Sequence, residues 1–366
     1  MSDLSSRQPT RKRQFASDNY AGICPEAWEA LTQANMDHAA VYGADPWTAR
    51  ATNLLREIFE CDCEIFFVFN GTAANSLALT TLAHSHQGIL CHESSHLQTD
   101  ECGAPEFFTG GSKLLLVAGP QGRMTAANLD TIASSRTDVH FPKASAVSVT
   151  QATELGTVYS LDELRALNAI AQKHQLRIHM DGARLANAIA ALQTSPAEVT
   201  WKAGVDVLSL GGTKNGLAVG EAVIFFRKDL ADEFAYRVKQ TGQLASKMRF
   251  LTAPWVGLLE SGAWLRNAQN ANLRAAQLQQ RLSQIPGVKF LTTRQVNSVF
   301  IDLPTHVIEG LRARDWRFYT FIGETGIRLM CAWDTTESDI EQLAADLCEL
   351  LAAPPPITAT SLPRTR

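Results

Sequence analysis

The sequence contains no uninterrupted apolar run of membrane-spanning length, which argues against a helical membrane protein. It also lacks a long block of like charge. Its 33 Lys and Arg residues against 37 Asp and Glu give a net charge of −4, which argues against nucleic acid as the main partner. Seven cysteines are scattered without paired metal spacing, since Cys61 and Cys63 have no second such pair beside them. Reduced thiols in a cytosolic protein, and no metal site, are the expectation. The opening residues MSDLSSRQPTRKRQ carry no apolar core of a secretory signal, so a cytoplasmic location is expected. No internal repeat is present.

What the chain does have is length and ordinary globular composition. Its 366 residues, 45% hydrophobic and 19% charged, can bury a large core and predict one large domain plus a smaller one. Short apolar runs read as strands: EIFFVFN, GILCH, KLLLVA, AVSVTQAT, LRIHMD, DVLSLG and AVIFF. Helical stretches lie among them. SLDELRALNAIAQKH is the best signalled, because Ser160 and Glu163 form a capping box. Repeated strand–helix order predicts an α/β fold with a mostly parallel, doubly wound sheet. From about Trp255 the pattern changes to a single long helix, GLLESGAWLRNAQNANLRAAQLQQRLSQI, followed by the strands VKFL, SVFIDL and IRLMCAW. The expected organisation is an N-terminal arm over 1–14, a large domain over 15–254, and a linker helix with a small α+β domain over 255–352. Residues 353–366, rich in proline and threonine, are expected to be a disordered tail.

Chemistry concentrates between Arg177 and Gly216. Asp181 ends one predicted strand and Lys214, framed as GGTKNG, follows the next. Successive strand ends in α/β proteins bring such groups into one site. An acid and a lysine there suit pyridoxal phosphate, whose aldehyde forms a Schiff base with the lysine while the carboxylate holds the pyridine nitrogen protonated. A surface turn is the competing reading for GGTKNG. Gly71 and Thr72, in NGTAAN, sit at a strand-to-helix junction that can bind phosphate through free N–H groups or can be an ordinary capped turn. His96, in CHESSHLQTDE, can stack on a pyridine ring or transfer a proton, or be a loop histidine satisfied by a neighbour. His140 is similarly ambiguous. Arg184 can bind a substrate carboxylate through paired hydrogen bonds, or close a local ion pair with Asp181. Arg328, a lone charge in an apolar strand, calls for an anionic partner unless it points outward from an edge.

Taken in order, ASDN, VYGADP, NGTAAN, SSH, VHFP, HMDGARLANA (the most specific), TKNG, KMR and IRL resemble the threonine aldolase and β-eliminating lyase family, from about Phe15 to about Leu350. The resemblance implies the aminotransferase-like, type I fold of pyridoxal phosphate enzymes. It further implies that Lys214 is the Schiff-base lysine, Asp181 the pyridinium partner, His96 the stacking ring, and Gly71 and Thr72 the phosphate site. Ser17, Arg184 and Arg328 would bind the amino-acid carboxylate. Arg249, in SKMRF, would reach the phosphate of a neighbouring subunit, which implies a homodimer or homotetramer with shared sites. The implied reaction is retro-aldol cleavage of L-threonine, L-allo-threonine and related β-hydroxy-α-amino acids to glycine and an aldehyde, with His96 or His140 near the proton that moves. Another pyridoxal phosphate lyase or transferase, acting by β-elimination or serine hydroxymethyl transfer, is the alternative. The chain departs from the family at TQATELGTVY, where Glu-Asn-Thr with a nearby His is usual. A dinucleotide-binding protein fits worse, because NGTAAN lacks the spaced glycines of that fingerprint.

Overall fold

The computed structural model describes residues 13–353, so most of the expected arm and the expected tail fall outside the described residues. Seven strands build the larger sheet: β1 (Glu64–Val68), β2 (Gln87–His92), β3 (Lys113–Val117), β4 (Lys143–Thr150), β5 (Arg177–Gly182), β6 (Val207–Gly211) and β7 (Glu221–Phe225). Their order is β1-β7-β6-β5-β4-β2-β3. Strand β7 runs antiparallel to both neighbours. The remaining pairings are parallel. Helices cover the sheet, so central strands must be apolar on both faces, and β7 is buried at every residue.

Two consequences of this topology position the site. Asp181 is in register with Thr150 on one side and Ser209 on the other, so these residues share one end of the sheet. Because β7 is antiparallel, its first residue arrives at that same end, and Glu221 pairs with Gly211 and Val68. A residue at the start of one strand thus joins residues at the ends of others.

Strands β8 (Lys289–Phe290), β9 (Ser298–Asp302), β10 (Tyr319–Ile322) and β11 (Gly326–Met330) form a separate antiparallel sheet in the order β10-β11-β9-β8. The expected single long helix is two. Gly262 adopts φ +70°, and the chain breaks there between helices Arg249–Glu260 and Ala263–Leu282. Glycine takes that left-handed conformation without the penalty a side chain would incur. β10 was not expected, since its residues alternate around half-burial instead of forming an apolar run. The first described residues lie along this smaller unit. Gln14 bridges to Arg317, and Phe15 enters its core and stacks on Trp316 with ring centroids 5.9 Å apart. Among the described residues, no helix is long and apolar enough to cross a membrane.

Candidate active site

A cavity of about 350 Å3 opens at the end of the large sheet where Asp181, Lys214 and Glu221 meet, and Gly71, Thr72 and His96 complete its working surface. Gly71 begins the helix Gly71–Leu79, whose N-cap Asn70 accepts a hydrogen bond from the Ala73 N–H. That cap satisfies one donor of the first turn and leaves others for a ligand. A side chain at Gly71 would meet nothing within 4 Å, so the space above the helix start is open to a bulky group. An anion placed there faces the positive end of the helix dipole.

Asp181 is buried, and its two oxygens are separately held. Asn75 Nδ2 donates to Oδ2 at 3.0 Å, and the Ala183 N–H donates to Oδ1 at 2.9 Å. The same Asn75 amide donates to Glu101 Oε1 at 2.8 Å, and that oxygen lies 2.8 Å from His96 Nδ1. One connected network therefore fixes the acid below the cavity and the imidazole beside it. The hydrogen bond to Glu101 raises the His96 pKa above the ordinary imidazole value, and the charge of Asp181 reinforces it against burial. Burial pushes the Glu101 carboxyl up, while His96 and Asn75 pull it back.

Lys214 sits in the short turn Thr213–Asn215 immediately after β6, partly buried and lining the cavity. Burial lowers its pKa, and the nearby Arg184 guanidinium adds to that effect. A larger share of the amine is then in the nucleophilic, neutral form. A ligand carrying a phosphate, an aromatic ring with a basic nitrogen and an aldehyde would meet a helix N-terminus, a stacking imidazole, a buried carboxylate and a lysine amine. The residues fit pyridoxal phosphate.

The three expected carboxylate-binding residues are not among those that line the cavity. Arg184 is paired, though not with Asp181. Its Nε and Nη2 donate to the two oxygens of Asp18 at 2.7 and 2.9 Å, a bidentate geometry. Burial alone would raise the Asp18 carboxyl, but Arg184 overrides it and holds Asp18 below its usual value. Asn297 Nδ2 also donates to Asp18, at 3.2 Å, which ties the small domain to this pair. Ser17 is buried and caps the following turn, its hydroxyl accepting from the Asn19 N–H. Arg328, on β11, rests over Tyr319 and Phe321, and its Nη2 donates to the Ala16 carbonyl at 3.3 Å. Its Nε is buried without a hydrogen-bond partner. Burial and then Arg184 pull the Arg328 pKa down to about 10. Such a cation has an open demand for an anion.

Two expected residues stand apart from the cavity. His140 is exposed on a turn, its N–H bonded to Asp138. Arg249 opens the helix Arg249–Glu260, its guanidinium 4.5 Å from the Phe250 ring and its Nε on the Ala34 carbonyl.

Sequence reasoning passed over Asp18, Asn75, Glu101, Glu154 and Glu221. Four of these lay inside quoted stretches: Asp18 in ASDN, Asn75 in NGTAAN, Glu101 in CHESSHLQTDE and Glu154 in TQATELGTVY. Glu154 lies where the chain departs from the family pattern. Its Oε1 accepts from the His96 N–H at 2.8 Å and from the Thr150 hydroxyl at 3.1 Å. Its Oε2 is buried and unpartnered. Burial, with Asp181 adding, pushes the Glu154 pKa up to about 7.

Residues 14–305 match the Beta-eliminating lyase family. The chain is 57% identical over 341 residues to "Low specificity L-threonine aldolase" of Pseudomonas aeruginosa, covering 93% of this chain and 99% of that one. It is 55% identical over 343 residues to the protein of the same name from a Pseudomonas species, covering 94% and 99%. The solved threonine aldolase of Leishmania major superposes with a TM-score of 0.87 at 26% identity, covering 93% of this chain and 99% of that chain. The mostly parallel sheet with its appended small domain is the type I fold of pyridoxal phosphate enzymes. With the family matched over most of its length and the site geometry in agreement, this chain belongs to the β-eliminating lyase family, whose cofactor is pyridoxal phosphate.

Proposed function

We propose that this protein is an aldehyde-lyase of the low-specificity L-threonine aldolase type, cleaving L-threonine, L-allo-threonine and related β-hydroxy-α-amino acids to glycine and an aldehyde. The observation that carries the reading is the convergence of Asp181, Lys214, His96 and the Gly71–Thr72 helix start on one cavity. High identity over nearly the whole length of two aldolases supports the substrate class.

When bound, pyridoxal phosphate supplies an electron-accepting ring conjugated to the substrate α-carbon, which weakens the bond that stands perpendicular to the ring. Asp181, fixed by Asn75 and Ala183, holds the proton on the ring nitrogen. Gly71 and Thr72 would hold the phosphate, and Lys214 would hold the aldehyde end of the ring. Arg328, Ser17 and the Nη1 edge of Arg184 bind the substrate carboxylate, since Nε and Nη2 of Arg184 are already on Asp18. Fixing the carboxylate fixes which bond stands perpendicular, so these residues select carbon–carbon cleavage over other outcomes. His96 lies on the cavity wall with a carboxylate behind it, the arrangement of a base that takes the β-hydroxyl proton.

We further propose a cytoplasmic homodimer or homotetramer, in which Arg249, and His140 with it, serve a neighbouring subunit's site. Their position outside this chain's own cavity supports that reading. A division into a large unit and a small one is supported by separate cores around Leu208 and Val299, with Trp255 and Ala263 packed in the first and Phe15, Ala275 and Leu282 in the second.

Purified protein should release glycine and acetaldehyde from L-threonine without added folate. Release of pyruvate and ammonia from L-serine in place of that reaction would move the assignment to β-elimination.

A further inference from the structure

Glu221 is a buried carboxylate of the cavity wall that the mechanism above leaves unused. It begins β7 and lines the cavity beside Lys214 and Thr213. Only 8% of its surface is exposed, a placement that a carboxylate rarely occupies without a specific partner. Its Oε2 accepts the Gly212 N–H at 2.5 Å, and Thr213 is close enough to pull its pKa down against burial. These are the two residues that precede Lys214, so the carboxylate holds the turn on which the lysine is mounted. Gly212 has no room to move aside. A Cβ there would stand 2.5 Å from the Trp255 ring and 2.8 Å from the Gly220 carbonyl.

We propose that Glu221 is a positioning residue for Lys214: it pins the Gly212–Thr213 turn and adds a nearby negative charge that favours the protonated amine. The proposal rests on Lys214 being the cofactor lysine. Two buried groups of opposite type have two neutral arrangements, a carboxylate with an ammonium or a carboxylic acid with an amine. Moving one proton between those arrangements leaves the net charge of the pair at zero. Neither state then exposes the apolar surroundings to an uncompensated charge, which is the costly condition for a buried ion. Glu221 makes both the amine and the ammonium form of the lysine tolerable.

The other charges facing Lys214 come from several elements. Arg184 opposes its protonation; Asp18 from the N-terminal segment and Asp181 from β5 favour it, together with Glu221. His96 couples to the same amine. Burial pushes the Glu221 carboxyl up to about 7.

The test compares wild type with Glu221→Gln, which keeps an acceptor for the Gly212 N–H and removes the charge. Full-length protein freed of cofactor is trace-acetylated with acetic anhydride across pH 6–10, and acetylation of Lys214 is read by mass spectrometry. Loss of the Glu221 charge should shift the Lys214 profile to lower pH and make the amine about tenfold more reactive at neutral pH, the factor carried by one pKa unit. In the holoenzyme, the pH midpoint of the visible band should fall in the same direction. Unchanged profiles in Glu221→Gln, with loss of activity only in Glu221→Leu, would reduce Glu221 to a structural hydrogen-bond acceptor and overturn the proposal. The acetylation profile stands without the cofactor reading; a wild-type protein that binds no pyridoxal phosphate would sink that reading and leave the profile intact.

Discussion

The two sides of the cavity are built on different physics. On the large-sheet side, Asp181 has each oxygen bonded to a donor, and Asn75, Glu101 and His96 continue the network. On the small-domain side, Arg328 stands on aromatic rings with a buried Nε unpartnered. Arg184, between them, is already committed to Asp18. The first side is preorganised before any ligand arrives, which suits a resident cofactor. The second keeps an unmet demand for negative charge, which suits a ligand that comes and goes as a carboxylate. Asn75 Oδ1 and Glu101 Oε2 on the first side are also buried without partners, so what sets Arg328 apart is that it is a cation lacking an anion.

Breaking the preorganised side should have the largest consequences. Lys214→Ala should remove the visible absorption of the cofactor-loaded protein and lower kcat by at least about a thousandfold, as loss of a covalent anchor does. Retained absorption with near-normal turnover would contradict the lysine assignment. Asp181→Ala should lower kcat by roughly a hundredfold or more, in line with removing one preorganised electrostatic partner from a buried site. Steady-state kinetics at saturating cofactor separates that loss from weaker cofactor binding.

Perturbing the small-domain side should act on substrate binding. Arg328→Ala removes charge-assisted hydrogen bonds worth about 1.5–3 kcal/mol, so KM for threonine should rise roughly ten- to a hundredfold while the cofactor spectrum stays unchanged. A loss confined to kcat would place Arg328 outside the carboxylate site.

The smallest effect sharpens the boundary between the two sides. Glu154 has a folded-state pKa near 7, raised from 4.5. A carboxyl whose folded pKa is raised stabilises the fold at low pH, and this contribution is lost as pH climbs from about 4.5 through 7. The melting temperature of wild type should therefore fall across that window more than that of Glu154→Gln. Parallel curves for the two proteins would show that Glu154 titrates as an ordinary carboxylate.

Much of the scaffold was legible because its signals are local. Ser160 and Glu163 form the reciprocal capping box that their spacing predicts, and the buried strands were continuous apolar runs. Asp181 and Lys214 were legible because strand ends in α/β sheets gather residues at one place. Glu221 was not, because its arrival depends on β7 running antiparallel, and AVIFF reads the same in either direction. Asn75 and Glu101 were hidden for a related reason: their partners, Asp181 and His96, come together only through the fold. The break at Gly262 was missed because a glycine within a helical pattern gives no sign of whether it bends the chain or is tolerated.

The central claim is that Lys214 is the residue that holds the cofactor. Reduction of the pyridoxal phosphate-loaded protein with borohydride, followed by peptide mass mapping, tests it directly. The account predicts that the visible band bleaches and that one reduced cofactor stays covalently attached to the peptide containing Lys214. An unmodified Lys214, with the label on another lysine or on none, would contradict it.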